Sequence, residues 1–143
     1  MYGAAPGGGG AMSVSPVTPV VINDPAVVAS VTAVFERYEA ALVANDVAVL
    51  DALFWRSPNT VRYGVSENLV GYQAIAAFRA ARSPLGLART LENTLITTFG
   101  DAMATVMTEF RRTGSDRMGR QSQTWVRFPD VGWQVVSAHV SLL

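Results

Sequence analysis

Tyr38 falls on the apolar stripe of a helical segment, which aims its hydroxyl toward whatever packs on that helix. As chemistry it is a general acid or hydrogen-bond donor facing a pocket. As structure it is a core tyrosine whose hydroxyl reaches the backbone. Arg62 lies within the short strand Val61-Arg62-Tyr63. Turned inward, its planar fork suits a carboxylate, because two parallel hydrogen bonds both hold and orient an acid. Turned outward, it is a solvated side chain or a partner for Glu67. His139, the only histidine, alternates with Ser137 and Ser141 on one face of the last strand, while Ala138, Val140 and Leu142 form the other. It is either a satisfied structural residue or part of a polar lining. Gln121, Gln123 and Trp125 share a strand face by the same period. The amides suit a carbonyl or carboxylate, or a hydrogen-bonded ladder on an exposed or dimer-facing surface. Polar groups inside strands are costly to bury unanswered, and a lined cavity is one answer.

Glu67 and Glu109 are candidate bases, each with a salt-bridged or solvated alternative. Arg79, Arg82 and Arg89 cluster near the end of a helix and are either solvated or a positive mouth for anions. Trp55, Trp125 and Trp133 read as packing residues, with Trp125, beside the glutamines, also grouped with the substrate-binding set. Gly7-Gly8-Gly9-Gly10 is no phosphate loop, since no strand precedes it and no Lys-Ser/Thr follows.

These residues need elements to position them. Residues 1–22 are Gly/Pro-rich and predict a disordered tail, with Met12 an alternative natural start; residues 23–143 predict a single domain. Asp24-Pro25 is an N-cap followed by a first-turn proline. Val27, Val31, Val34, Phe35, Tyr38 and Leu42 then recur at helical spacing. Asn45-Asp46 breaks this helix and caps a shorter one over 47–54. A short strand over 60–63, a loop or small strand over 64–70 and a helix over 72–82 follow. Strands over 89–99, 102–112, 121–128 and 133–142, separated by Gly, Pro and Asp turns, complete the chain. Helices first and a meander of strands afterwards predict an α+β domain, with a curved antiparallel sheet wrapped around about three N-terminal helices and a pocket between them.

Composition bounds the function. The chain has 143 residues, 11 basic and 11 acidic, for a net charge of zero, which argues against a nucleic-acid partner. There is no cysteine, which removes disulfides, thiol nucleophiles and thiolate metal sites. One histidine excludes a multi-histidine metal site within one chain, and neither a metal nor another cofactor is expected. No apolar run approaches the roughly 20 residues of a membrane span, and no secretory signal is read at the N-terminus. The expectation is a cytoplasmic protein with no membrane or nucleic-acid partner.

Several motifs together resemble the AtzH-like family. They are Thr60-Val61-Arg62-Tyr63-Gly64 with Glu67 and Gly71, then Ile75-Ala76-Ala77-Phe78-Arg79 with Arg82, and Ile96-Thr97-Thr98-Phe99-Gly100. Gly119-Arg120-Gln121-Ser122-Gln123-Thr124-Trp125-Val126 and Gly132-Trp133 through Ala138-His139-Val140-Ser141-Leu142 complete the set. The resemblance spans about residues 23–143. It implies the NTF2-like, SnoaL-like superfamily: a cone of three helices and a curved antiparallel sheet, commonly dimerising through the sheet. It further implies catabolism of small urea-derived amides, by a decarboxylating amidohydrolase that converts 1,3-dicarboxyurea to allophanate. The family's helix tyrosine and strand arginine, implicated in that activity, match Tyr38 and Arg62.

The combined expectation is a metal-independent pocket for a small anionic, urea- or amide-like substrate. Arg62 clamps a carboxylate, Tyr38 protonates or hydrogen-bonds the departing nitrogen, and His139, Gln121, Gln123, Trp125 and Glu67 bind or orient. Fold alone does not determine function. A non-catalytic binding or accessory subunit, for example beside an amidase, and a SnoaL-like isomerase or cyclase with a carboxylate base stay open.

Overall fold

The structure, a computed structural model, describes residues 16–143. The greater part of the predicted tail therefore lies outside the described residues. Val21 and Ile22 are tied to the body: the Val21 carbonyl accepts from Gly100 N–H, and Ile22 forms a β-bridge with Phe99.

Helix α1 (Pro25–Val43) starts as its sequence requires, with the Asp24 carboxylate accepting from the N–H groups of Ala26 and Val27. It buries Val27, Val31, Phe35, Tyr38, Ala41 and Leu42. Asn45, with φ of 51°, turns the chain, and Asp46 caps α2 (Val47–Leu53). Strands β1 (Val61–Tyr63) and β2 (Asn68–Val70) precede α3 (Tyr72–Ala81). Four long strands follow: β3 (Arg89–Phe99), β4 (Met103–Arg112), β5 (Met118–Phe128) and β6 (Gly132–Leu142).

One six-stranded sheet results, in the order β2-β1-β6-β5-β4-β3, so the domain is α+β with three helices on the sheet. The sheet is not wholly antiparallel, as the sequence had suggested: β1 runs parallel to β6, with Val61 opposite Ser137 and Tyr63 opposite His139. No hairpin joins these strands, so turn geometry does not set their relative direction.

Two irregularities decide which side chains reach the helices. Between Glu92 and Leu95 the β3 register shifts around Asn93, with φ of 52°. Arg89 and Leu91 lie level with Arg112 and Phe110 before the shift, and Ile96 and Thr98 with Val106 and Ala104 after it. A second shift at Thr124–Trp125 places Trp125 opposite Val135. Such bulges re-aim side chains and increase local twist. The core between sheet and helices centres on Val31, Leu50, Phe54, Ile75, Val106, Trp125 and Val135, none more than 1% exposed.

Candidate functional site

Tyr38 is 5% exposed and held in an aromatic frame. Phe35 stacks at a centroid distance of 6.4 Å, Phe54 tilts against it at 6.2 Å, and Trp125 meets it edge-on at 6.2 Å. With its ring fixed, Tyr38 forms the wall of a recess shared with Arg62, Arg82, Arg89, Arg112 and Gln121. This inner recess has room of about 30 Å³ and shares Arg62, Arg82, Arg112 and Val140 with an outer chamber of about 190 Å³ beside Glu67 and Phe78. Larger grooves lie elsewhere. One of about 660 Å³ runs along the start of α3 at Gly71 and Tyr72, but Arg56 is its only charged lining residue.

Each arginine is seated differently. Arg89 carries two hydrogen bonds to Glu39 of α1, Nε to Oε1 and Nη2 to Oε2, both 2.8 Å. Its Nη2 also donates to Gln121 Oε1 at 3.1 Å. Because a guanidinium only donates, the Gln121 oxygen must face Arg89 and its NH₂ must point away. That Nε2 is buried with no protein partner. Arg62 Nη1 donates to Glu67 Oε1 at 3.0 Å, and its guanidinium lies 5.5 Å from the Phe78 ring centroid. Glu67 folds back over Gly64, where any Cβ would occupy the space of its carboxylate. Arg112 and Arg89 both lie on the Phe110 ring, at 5.4 and 4.5 Å. Phe110 in turn rests on Gly119, where a Cβ would strike the ring. Arg82, the C-cap of α3, has Nε and Nη2 buried without any partner.

Four arginines around one recess, with Glu39 and Glu67 the carboxylates bonded to them, leave two positive charges unmatched. Burial lowers the pKa of Arg82, and the charges of Arg62, Arg79 and Arg112 lower it further against an opposing effect of Tyr38. Burial likewise lowers Arg112, reinforced by Arg89 and Arg62 and opposed by Glu67. Both guanidiniums remain charged, since arginine titrates far above neutrality. Burial pushes the Glu67 carboxyl up, but hydrogen bonds from Arg62 and Ser66 and the charge of Arg62 together hold it below its ordinary value. The recess thus carries an excess of positive charge, with a rigid phenol on one wall. Among the described residues no group of three or more His, Cys, Asp or Glu is placed to hold a metal ion.

The structure brings Tyr38, Arg62 and Gln121 together and seats Glu67 at the rim. His139 does not join them. It is exposed on the opposite sheet face, edge-on to Tyr63 at 5.8 Å. The apolar set of β6 takes the inner face, with Ala138 and Val140 buried, and period-2 geometry sends His139 outward. Gln123 and Trp125 do face inward, but the indole Nε1 donates to Gln123 Oε1 at 3.0 Å, Gln123 Nε2 is buried without a partner, and neither residue borders the recess. Trp125 supports Tyr38 instead of lining the ligand space. Glu109 hydrogen-bonds Asn93 on the exposed side. Of the arginine cluster, Arg82 and Arg89 reach the recess, whereas Arg79 is buried against Phe54 and bonded to Asp51 at 2.6 Å. Arg112 was missed in the sequence. The alternation Val106, Thr108, Phe110, carried one step further, puts it on the inner face.

The AtzH-like family matches residues 20–143. A protein with unknown function from Pectobacterium atrosepticum is 59% identical, with a TM-score of 0.83 over 85% of this chain and 94% of that one. A cystatin-like fold protein from Burkholderia xenovorans is 48% identical, with a TM-score of 0.84 over 87% and 97%. An NTF2-like superfamily protein from Salmonella enterica, at 24% identity and a TM-score of 0.65 over 81% and 90%, shares the fold. No curated protein matches the chain at a significant level. With the family matched along nearly all the described residues and the fold shared with NTF2-like proteins, the chain belongs to the AtzH-like family.

Proposed function

We propose that the protein is a metal-independent hydrolase of the decarboxylating amidohydrolase type, acting on a small anionic urea- or amide-derived substrate such as 1,3-dicarboxyurea. The observation that carries this reading is the recess where Tyr38 meets four arginines with only two bonded carboxylates. An N-carboxylate held by Arg62 loses carbon dioxide when its C–N bond breaks. The electron pair stays on nitrogen, a proton reaches that nitrogen, and 1,3-dicarboxyurea becomes allophanate. In this reading Tyr38 donates the hydrogen bond or proton, and the Gln121 amide completes the polar lining. The helices and the bulged sheet enclose the substrate as a cone. Bond breaking then needs protonation and orientation, which these side chains supply.

The test is turnover of 1,3-dicarboxyurea. Tyr38→Phe keeps the aromatic frame and removes only the hydroxyl, so a fall of about 10²-fold or more is expected. Arg62→Lys loses the fork and should also fall at least about tenfold. Near-wild-type rates in both variants would reject the assignment.

The outer sheet face favours a homodimer as part of the same proposal. Leu95, Met107 and Tyr63 are exposed along one row of the sheet, and Met103 and Phe99 along another. An accessory role beside an amidase would use this face as well. Co-purification with an amidase and no turnover alone would decide for that role.

A further inference from the structure

We infer that Arg82 is the principal anion anchor of the recess, ahead of Arg62, and that it forms an oxyanion cradle with the Gln121 amide nitrogen. The inference rests on the proposed reading of the recess as a site for a small anion.

The four recess arginines and the nearby Arg79 differ in what already occupies them. Arg79 is spent on Asp51 and Phe54. Arg89 is spent on both oxygens of Glu39 and on Gln121. Arg62 has Nη1 on Glu67 and its face toward Phe78. Arg112 lies over Phe110. Arg82 alone among them has two buried nitrogens, Nε and Nη2, with no protein partner. These two atoms form the edge of the guanidinium that receives a carboxylate through two parallel bonds. A buried donor left unmade costs free energy, and here three other guanidiniums add repulsion.

Of the other buried side-chain atoms without a partner, Gln121 Nε2 lines the same recess, whereas Asn45 Oδ1, Thr98 Oγ1 and Gln123 Nε2 lie outside it. The orientation of Gln121 is fixed by the relay from Glu39 through Arg89 to the amide oxygen. Arg82 itself sits at the end of α3, as its C-cap with extended backbone. The negative end of the helix dipole partly offsets its charge. A carboxylate that takes both Arg82 nitrogens and the Gln121 amide satisfies every orphaned donor of the recess at once. Arg62, once Glu67 yields, then meets a second polar group of the same ligand in the outer chamber.

The experiment uses malonate as the probe, with neutral malonamide as control, read by calorimetry and by thermal shift. Wild type should bind malonate and not malonamide. Arg82→Met should weaken malonate binding at least about tenfold while its unliganded melting temperature is unchanged or higher, a pairing that a structural role would reverse. Arg82→Lys, which keeps the charge without the fork, should also lose most of the binding and guards against poor folding of the methionine variant. Arg62→Lys should lose less than either. If malonate binds wild type and both Arg82 variants alike, or if Arg62→Lys loses more, the anchor assignment is overturned while the anion site stands. If wild type binds no malonate, or binds malonamide equally, the anion-site reading itself falls and takes this inference with it.

Discussion

Glu67 shows how one side chain sets the working state of the recess. Its carboxylate accepts from Arg62, from Ser66 N–H at 3.2 Å and from Ser66 Oγ at 3.1 Å. Because its pKa in the folded chain lies below its ordinary value, folding stability gained from this residue is present at neutral pH. That stability is lost as pH falls through the depressed value. Glu67→Gln should therefore be less stable than wild type by under about 1 kcal/mol near neutrality, with the gap closing in acid. Urea unfolding of both proteins across pH 3 to 7 (roughly the window around a lowered carboxylate) measures it, and a gap independent of pH would refute the ion-pair account. The pairing of Arg62 with Glu67 was an alternative legible in the sequence, as was the inward face of Gln121. The relay from Glu39 was not, because it joins residues 50 positions apart through side-chain reach, which spacing along a chain does not encode.

At the scale of elements, the boundaries of α1, β3, β4 and β6 followed to within a residue from caps, turns and alternation, whereas β5 begins at Met118, three residues before the expected start. What alternation could not supply was parity across a bulge. Arg89 and Leu91 lie level with inward residues of β4 because Asn93 shifts the register behind them, and a single asparagine in a β-rich stretch gives little warning of that. His139 failed for a related reason: polar residues on a strand drew attention to a face that the apolar residues had already given to solvent. The β4–β5 pair carries a sharper dependence. Phe110 lies opposite Gly119 and over it, and both Arg89 and Arg112 rest on that ring. Gly119→Ala should cost about 1–3 kcal/mol through overpacking and weaken anion binding together with stability. Chemical unfolding alongside malonate titration tests this, and an unchanged midpoint would show that the ring moves aside freely.

At the scale of the whole molecule, all 11 basic residues are arginine and none is lysine, yet net neutrality hides how they are grouped. Four gather at the recess. The opposite sheet face instead presents Leu95, Met107, Met103 and Tyr63. Beside the exposed Arg111–Glu92 ion pair, these apolar side chains give that face a way to associate. Wild type should sediment as a dimer, and Met107→Glu, which puts a charge at the middle of that face, should shift it to monomer while the recess still binds malonate. A wild-type monomer would remove the sheet from consideration as an interface.

The parallel β1–β6 pairing also dictates an order of assembly. Arg62 lies opposite Ala138 in β6, the last strand of the sheet in chain order, so its strand has no neighbour on that side until β6 has been made. Helix α1 and Tyr38 are available from the start; the arginine that faces them is not. The recess is therefore completed by the last strand of the sheet, and a product that stops before β6 carries the phenol and most of the charge but leaves Arg62 without the strand that holds it.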